Sequence, residues 1–291
     1  MRGFLHETRK QHIRHSGGGR DQCMSSILSG WQQYEAAFIG QPWVEFARQH
    51  MYIPVATAAA YVLLVTRGTH APQHRKNVRV PLAAWNLLLV VFSLCGTIRT
   101  FPRLASAWSV HGFMYTVCAE AEHWYLNGPT GVWVWLFVLS KFPELIDTAF
   151  LIISGRPVIF LHWFHHASVL VYTWHAYCFK SSCGLWYACM NYIVHTCMYL
   201  YYFFTAIGWQ KYVAWYAPLI TLVQIAQMFL GLCLSLLSMY VRYTAGPSLC
   251  AVYPPNAGLA LCMYFAYLVL FCMFFAEKYH ARAPKPARRV N

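Results

Sequence analysis

Residues 157–179 read PVIFLHWFHHASVLVYTWHAYCF and contain no Asp, Glu, Lys or Arg. A helix needs about 20 mostly apolar residues to cross a bilayer, so the stretch predicts a spanning helix. It also carries His162, His165 and His166 within five positions. An imidazole in apolar surroundings is costly unless it finds a partner. At spacing i, i+3, i+4 the three rings share one helical face. That face should turn toward other helices, because ionisable groups inside a membrane point into the protein and usually serve its function.

The rest of the chain reads the same way. Of its 291 residues, 58% are apolar and 11% charged, against about 25% charged in a soluble domain. A net charge of +13 can point to nucleic acid. Here the basic residues sit in tails and short connections between apolar runs, the pattern that membrane topology selects. The expected partner is therefore the lipid bilayer and not nucleic acid. Seven apolar runs are legible, at roughly 51–66, 81–99, 131–154, 157–179, 184–206, 213–240 and 257–276. The first is short and can begin in the amphipathic segment QPWVEFARQH at 41–50. The expected fold is an all-α integral membrane protein of about seven transmembrane helices. Its single domain covers 41–276, between a disordered basic tail over 1–40 and a basic cytosolic tail over 277–291. No apolar core precedes Ser26, so no signal peptide is expected. Residues 100–130 form the longest expected connection, held at the interface by Trp108, Phe113, Trp124 and Tyr125.

Lys and Arg set the orientation. Connections 67–80, 155–156 and 207–212 with the C-terminal tail hold 11, against 4 in 99–130, 180–183 and 241–256. The first set is expected in the cytosol. The N-terminal tail, with five, opposes this, but the connections agree among themselves. Eleven cysteines contain no CxxC pair, so neither a zinc site nor a redox motif is signalled. Cys118, Cys183 and Cys250 fall on the non-cytosolic side, where one disulfide among them can form.

Polar side chains recur inside the runs. In FVLSKFPELIDTAFLI (137–152), Lys141, Glu144 and Thr148 share a helical face, with Asp147 beside them. The fifth run places Asn191 and His195 on one face, followed by Met198, Tyr199 and Tyr202. In the sixth, Thr221, Gln224 and Gln227 repeat at i, i+3, i+6. At about 1.5 Å per residue, these groups and the histidines lie roughly 8–21 Å below the cytosolic edge. Four helices thus bring polar side chains to one level, which predicts a protein-enclosed pocket open to the cytosol. Bland readings stand beside this one. Lys141 and Glu144 can form a self-neutralising structural pair, and the glutamines can hydrogen-bond between helices.

Metal chemistry is the first idea for clustered imidazoles. Membrane di-iron desaturases and hydroxylases also use HxxHH, but with further histidine boxes. Here the other intramembrane histidines, His175 and His195, are single. No metal and no cofactor are expected, and a metal-dependent lipid desaturase or hydroxylase is the alternative. Neutral imidazole is also a competent acyl acceptor near neutral pH.

Four signatures stand in order: KxxExxDT in KFPELIDT (141–148), HxxHH in HWFHH (162–166), HxxMYxYY in HTCMYLYY (195–202) and TxxQxxQ in TLVQIAQ (221–227). Together they resemble the ELO fatty acid elongases, from about Val80 to His280. YLNGP, HWFHH and YLVLFCMFFAEKY look closest to the branch that extends saturated and monounsaturated long chains, although Met273 stands where that branch often has a histidine. The resemblance implies a microsomal 3-oxoacyl-CoA synthase, an acyltransferase that condenses long-chain acyl-CoA with malonyl-CoA in the endoplasmic reticulum. It implies reductase and dehydratase partners, leaves a homodimer open, and implies that spans two to seven enclose a catalytic chamber with an acyl tunnel toward the lumen. On this reading His165 carries the acyl group, with His195 as acid/base or second acceptor and His162 and His166 orienting or moving protons. Asp147 fixes a histidine tautomer. Lys141, Glu144, Asn191, Met198, Tyr199, Tyr202, Gln224 and Gln227 support the site. The coenzyme A phosphates meet Arg156, Lys211, Lys278 or Arg282 at the cytosolic mouth.

Overall fold

The computed structural model describes residues 29–70 and 77–280. Among them there is no strand. Helix α1 covers 29–37. It is followed by α2 (Gln41–Gln49), α3 (Tyr52–His70), α4 (Arg79–His111), α5 (Phe113–Cys118), α6 (Ala121–Trp124) and α7 (Gly128–Ser140). A 3₁₀ turn at Pro143–Leu145 leads to α8 (Ile146–Ile153). Then come α9 (Phe160–Cys178), α10 (Gly184–Ala206), the short α11 (Gln210–Val213), α12 (Tyr216–Thr244) and α13 (Pro254–Phe275), which ends in a π-helical turn at Ala276–His280.

Two prolines explain two departures from the expected spans. Pro54 has no N–H for the carbonyl of His50, and its ring would collide with that carbonyl in a continuous helix. The chain breaks there, and α2 meets α3 at 56°. Pro143 does the same inside the expected 131–154 span. The amides of Lys141 and Phe142 tighten to i−3 carbonyls at Val138 and Leu139, and one span becomes α7 and α8 with a break between. The expected 100–130 connection is also shorter, because α4 runs on to His111.

Among the described residues, three helical stretches are long and apolar enough to cross a membrane: α4, α12, and Pro254–Tyr279, which covers α13 and most of its π turn. The bent α2–α3 pair makes a fourth if it counts as one span. Helices α9 and α10, of 19 and 23 residues, are long enough but carry the histidines and many of the tyrosines.

Residues 29–37, expected within the disordered tail, form helix α1. It is anchored through Glu35, which is 1% exposed and has both its carboxylate oxygens taken. Arg99 lies 3.0 Å from Oε2, and the Trp133 indole donates to Oε1 at 2.7 Å. Residues 1–28 and 281–291, including Arg282, lie outside the described residues.

In a bilayer, helices associate through close packing and hydrogen bonds, since lipid tails are as apolar as leucine. Among the described residues, the pairing of α4 with α10 is the most extensive. It depends on Gly96, where an added Cβ would sit 2.4 Å from the Tyr192 ring. The Tyr192 hydroxyl crosses to the Trp133 carbonyl at 2.8 Å, and Trp174 donates to the Ala47 carbonyl at 2.8 Å. At the end of the bundle remote from Arg156 and Lys278, Cys118, the last residue of α5, is disulfide-bonded to Cys250 before α13. Cys183 is buried nearby as a free thiol. The sequence narrowed the pairing to three cysteines, and the structure selects two.

Candidate active site

The break at Pro143 positions the first two side chains. Lys141 and Glu144 are 1% and 3% exposed and lie 2.7 Å apart. The Ser140 hydroxyl donates to the same carboxylate oxygen at 2.8 Å. The ammonium also lies 4.4 Å from the centre of the Phe137 ring and 3.0 Å from Asn191 Oδ1. Lys141 is therefore paired within the protein.

The consequence passes along α10. An ammonium can only donate, so Asn191 offers its oxygen to Lys141 and an amide N–H to His195 Nε2, 3.0 Å away. Nε2 of His195 is thereby an acceptor, and the proton of the neutral ring sits on Nδ1.

Asp147 on α8 accepts from the Trp85 indole at 2.7 Å and from the Tyr199 hydroxyl at 2.7 Å. Its expected hold on a histidine tautomer is thus corrected, because both oxygens are engaged elsewhere. The neighbouring Thr148 takes that place. Its hydroxyl lies 2.9 Å from His162 Nε2 and 2.7 Å from the Tyr61 hydroxyl of α3.

On α9 the His162 and His166 rings lie 4.5 Å apart between centroids, and His165 and His166 lie 5.5 Å apart. The Tyr267 ring of α13 is 4.8 Å from that of His165, and its hydroxyl donates to the His165 carbonyl at 3.2 Å. Nδ1 of His165 and of His166 are buried with no protein partner.

These groups surround a cavity of about 330 Å³, within the range of small-molecule sites. Its wall includes His162, His165, His166 and His195 with Asp147, Asn191, Met198, Tyr199, Tyr202, Gln224 and Gln227. Gln224 also reaches Met198 Sδ at 3.4 Å. Arg156 and Lys278 lie at its mouth, both exposed. Lys141 and Glu144 stand behind the wall, and Lys211 lies apart from it. Met273 is 62% exposed on the outer face, away from the cavity.

Toward the far end the wall stops near Asn191, Gln227, Met228 and Phe271. Beyond it Tyr172, Tyr187, Tyr264 and Tyr267 pack with Met228 and Leu234 between α9, α10, α12 and α13. The acyl tunnel expected to run that way is not part of this cavity, because the rings fill the space. Among the described residues no group of three or more His, Cys, Asp or Glu is set to hold a metal ion.

Sequence reasoning missed Tyr61, Trp85, Asn86 and Tyr267. The signal for two of them was present. Trp85-Asn86 is a polar pair inside the apolar run of α4.

Residues 46–287 match the family model for ELO, the GNS1/SUR4 family. Fatty acid elongase 3 of Trypanosoma brucei brucei is 39% identical over 274 residues, covering 86% of this chain and 91% of that protein. Very long chain fatty acid elongase 4 of Trypanosoma cruzi is 39% identical, covering 81% of this chain and 83% of its own. Very long chain fatty acid elongase 6 of Drosophila melanogaster is 38% identical over 79% of this chain and 73% of its own.

Proposed function

The chain belongs to the GNS1/SUR4, or ELO, family, and from that premise we propose that it is the condensing enzyme of fatty acid elongation. Family membership and the names of its relatives support the role in elongation. The chemistry rests on one observation: four imidazoles from α9 and α10 line a single cavity with cations at its mouth.

The reaction joins acyl-CoA and malonyl-CoA into 3-oxoacyl-CoA, with release of CO2 and CoA. His165 Nε2 attacks the acyl thioester, the carbon–sulfur bond breaks, and CoA leaves as the thiol, taking one proton that His162 and His166 relay from solvent. The acyl-imidazole splits one hard step into two. Malonyl-CoA then loses CO2, and the electron pair of the broken carbon–carbon bond forms the enolate. Its carbon attacks the acyl carbonyl, and the imidazole leaves as the 3-oxo product forms. His195, protonated on Nδ1, is suited to donate a hydrogen bond to the oxyanion at each addition. His162, held by Thr148, and His166 beside it are placed to pass protons. Arg156 and Lys278 suit the phosphates of coenzyme A; Lys211 and Arg282 stay candidates of the same kind.

The membrane arrangement in this reading is seven passes: α2–α3, α4, α7–α8, α9, α10, α12 and α13. The C-terminus is cytosolic and the membrane is that of the endoplasmic reticulum. Reductase and dehydratase enzymes take up the product. The test is a microsomal assay with acyl-CoAs of graded length and labelled malonyl-CoA. Labelled 3-oxo product should form and should vanish at every length in His165→Ala. Protein incubated with acyl-CoA alone should carry an acyl adduct on the peptide containing His165. Absence of the adduct, with CO2 release that needs both substrates at once, overturns the acyl-enzyme.

A further inference from the structure

Asn86 is 3% exposed, lines the cavity, and its amide nitrogen has no protein partner. No other side chain on α4 combines these properties. Its neighbour Trp85 is fixed to Asp147, so the helix cannot rotate to give Asn86 a partner without breaking that bond. A buried amide left unpaired carries its full desolvation cost. Such a group at a cavity wall fits a ligand that restores the pairing.

Its depth identifies the part of the ligand. Helices α4 and α10 run antiparallel. Gly96 meets Tyr192, and Leu89 and Val90 pack with Tyr199. That register sets Asn86 level with Tyr202, roughly 10 Å nearer the mouth than His195. On the other side, the Trp85–Asp147 bond and the Thr148–His162 bond set Asn86 level with His162, a turn shallower than His165. Asn86 thus stands between the mouth cations Arg156 and Lys278 and the reacting imidazoles.

A coenzyme A thioester with phosphates at the mouth and sulfur at the histidines lays its pantetheine arm across this level. That arm is the part of the substrate with two secondary amides, each offering an N–H and a C=O. A carboxamide side chain matches one of them as donor and acceptor together. We infer that Asn86 is a substrate-positioning residue that pairs with an amide of the pantetheine arm and so sets how deep the thioester sits. This rests on the reading that coenzyme A thioesters enter the cavity.

The test measures binding, with no turnover required, on the full-length detergent-solubilised protein. The probes are an S-alkyl-coenzyme A thioether and two analogues in which one or the other pantetheine amide is replaced by a trans-alkene, which removes both its C=O and its N–H. The unsubstituted protein should bind one alkene analogue about tenfold more weakly than the parent thioether. Asn86→Leu should weaken the parent by a similar factor and bind that alkene analogue no more weakly than the unsubstituted protein does. Asn86→Ser, smaller and still polar, repeats the comparison if the leucine variant does not fold. Equal binding of all three probes by the unsubstituted protein overturns the inference, as does equal weakening of parent and analogue in the variants. Failure of the unsubstituted protein to bind the parent thioether overturns instead the assignment of a coenzyme A substrate.

Discussion

Lys141 Nζ lies 3.0 Å from Asn191 Oδ1, across 50 residues of sequence. The contact turns a structural ion pair into a device that orients a ring. Lys141 fixes which way the Asn191 amide faces, and the amide fixes which nitrogen of His195 carries the proton.

Breaking one partner of a buried ion pair costs about 3–5 kcal/mol, because the other is left charged and alone. Lys141→Met should therefore lower the melting temperature sharply in detergent. Lys141→Met combined with Glu144→Leu should regain most of the stability yet stay inactive, since Asn191 is then free to flip its amide toward His195. Activity in the double variant would show that the Lys141–Asn191 contact is only structural.

Asp147 offers a second measurement. Trp85→Phe and Tyr199→Phe each remove one donor to the carboxylate, and hydrogen bonds to charged groups are worth about 1.5–3 kcal/mol. Each single change should destabilise by about that amount. The pair should depart from additivity because both donors serve one carboxylate, which a double-mutant cycle of melting curves reads directly.

The layer of tyrosines beyond the cavity predicts a length limit. A Cβ at Gly231 would sit 2.4 Å from the Tyr264 ring, so that ring is held against α12. Tyr264→Ala should open the space and shift the products of a graded acyl-CoA series toward longer chains. Gly231→Ala should cost about 1–3 kcal/mol by overpacking, without lengthening the products. An unchanged product profile in active Tyr264→Ala would place the acyl chain elsewhere.

The disulfide closes a separation of 132 residues. In the chain-entropy account a closed loop of 100 residues is worth about 4.7 kcal/mol. Cys118→Ser should lower the melting temperature and abolish its sensitivity to reductant. Cys183→Ser should leave that sensitivity intact. Peptide mapping without reduction should recover Cys118 joined to Cys250, with Cys183 as a free thiol.

Where periodicity governs, the fold was legible. The apolar run read at 184–206 is α10 residue for residue, and the i, i+3, i+4 histidines do line one cavity. Pro143 was visible in KFPELIDT, but its spacing was read as a continuous helical face. The break it makes is what buries Lys141 behind the wall. The role of Tyr61 depends on which helices lie side by side, and one residue in an apolar run carries no sign of that. Asp147 shows a further limit. The sequence placed the carboxylate at the right depth, but the choice between a histidine and the Trp85–Tyr199 pair is made by rotation of α8 after the Pro143 break.

The tyrosine floor has a consequence for traffic. Tyrosines pack beyond Asn191 and Gln227, and Arg156 and Lys278 stand on the open side of the cavity. If the proposed thioesters enter there, two bulky nucleotide carriers compete for one doorway, and the proposed acyl-enzyme lets the first withdraw before the second arrives.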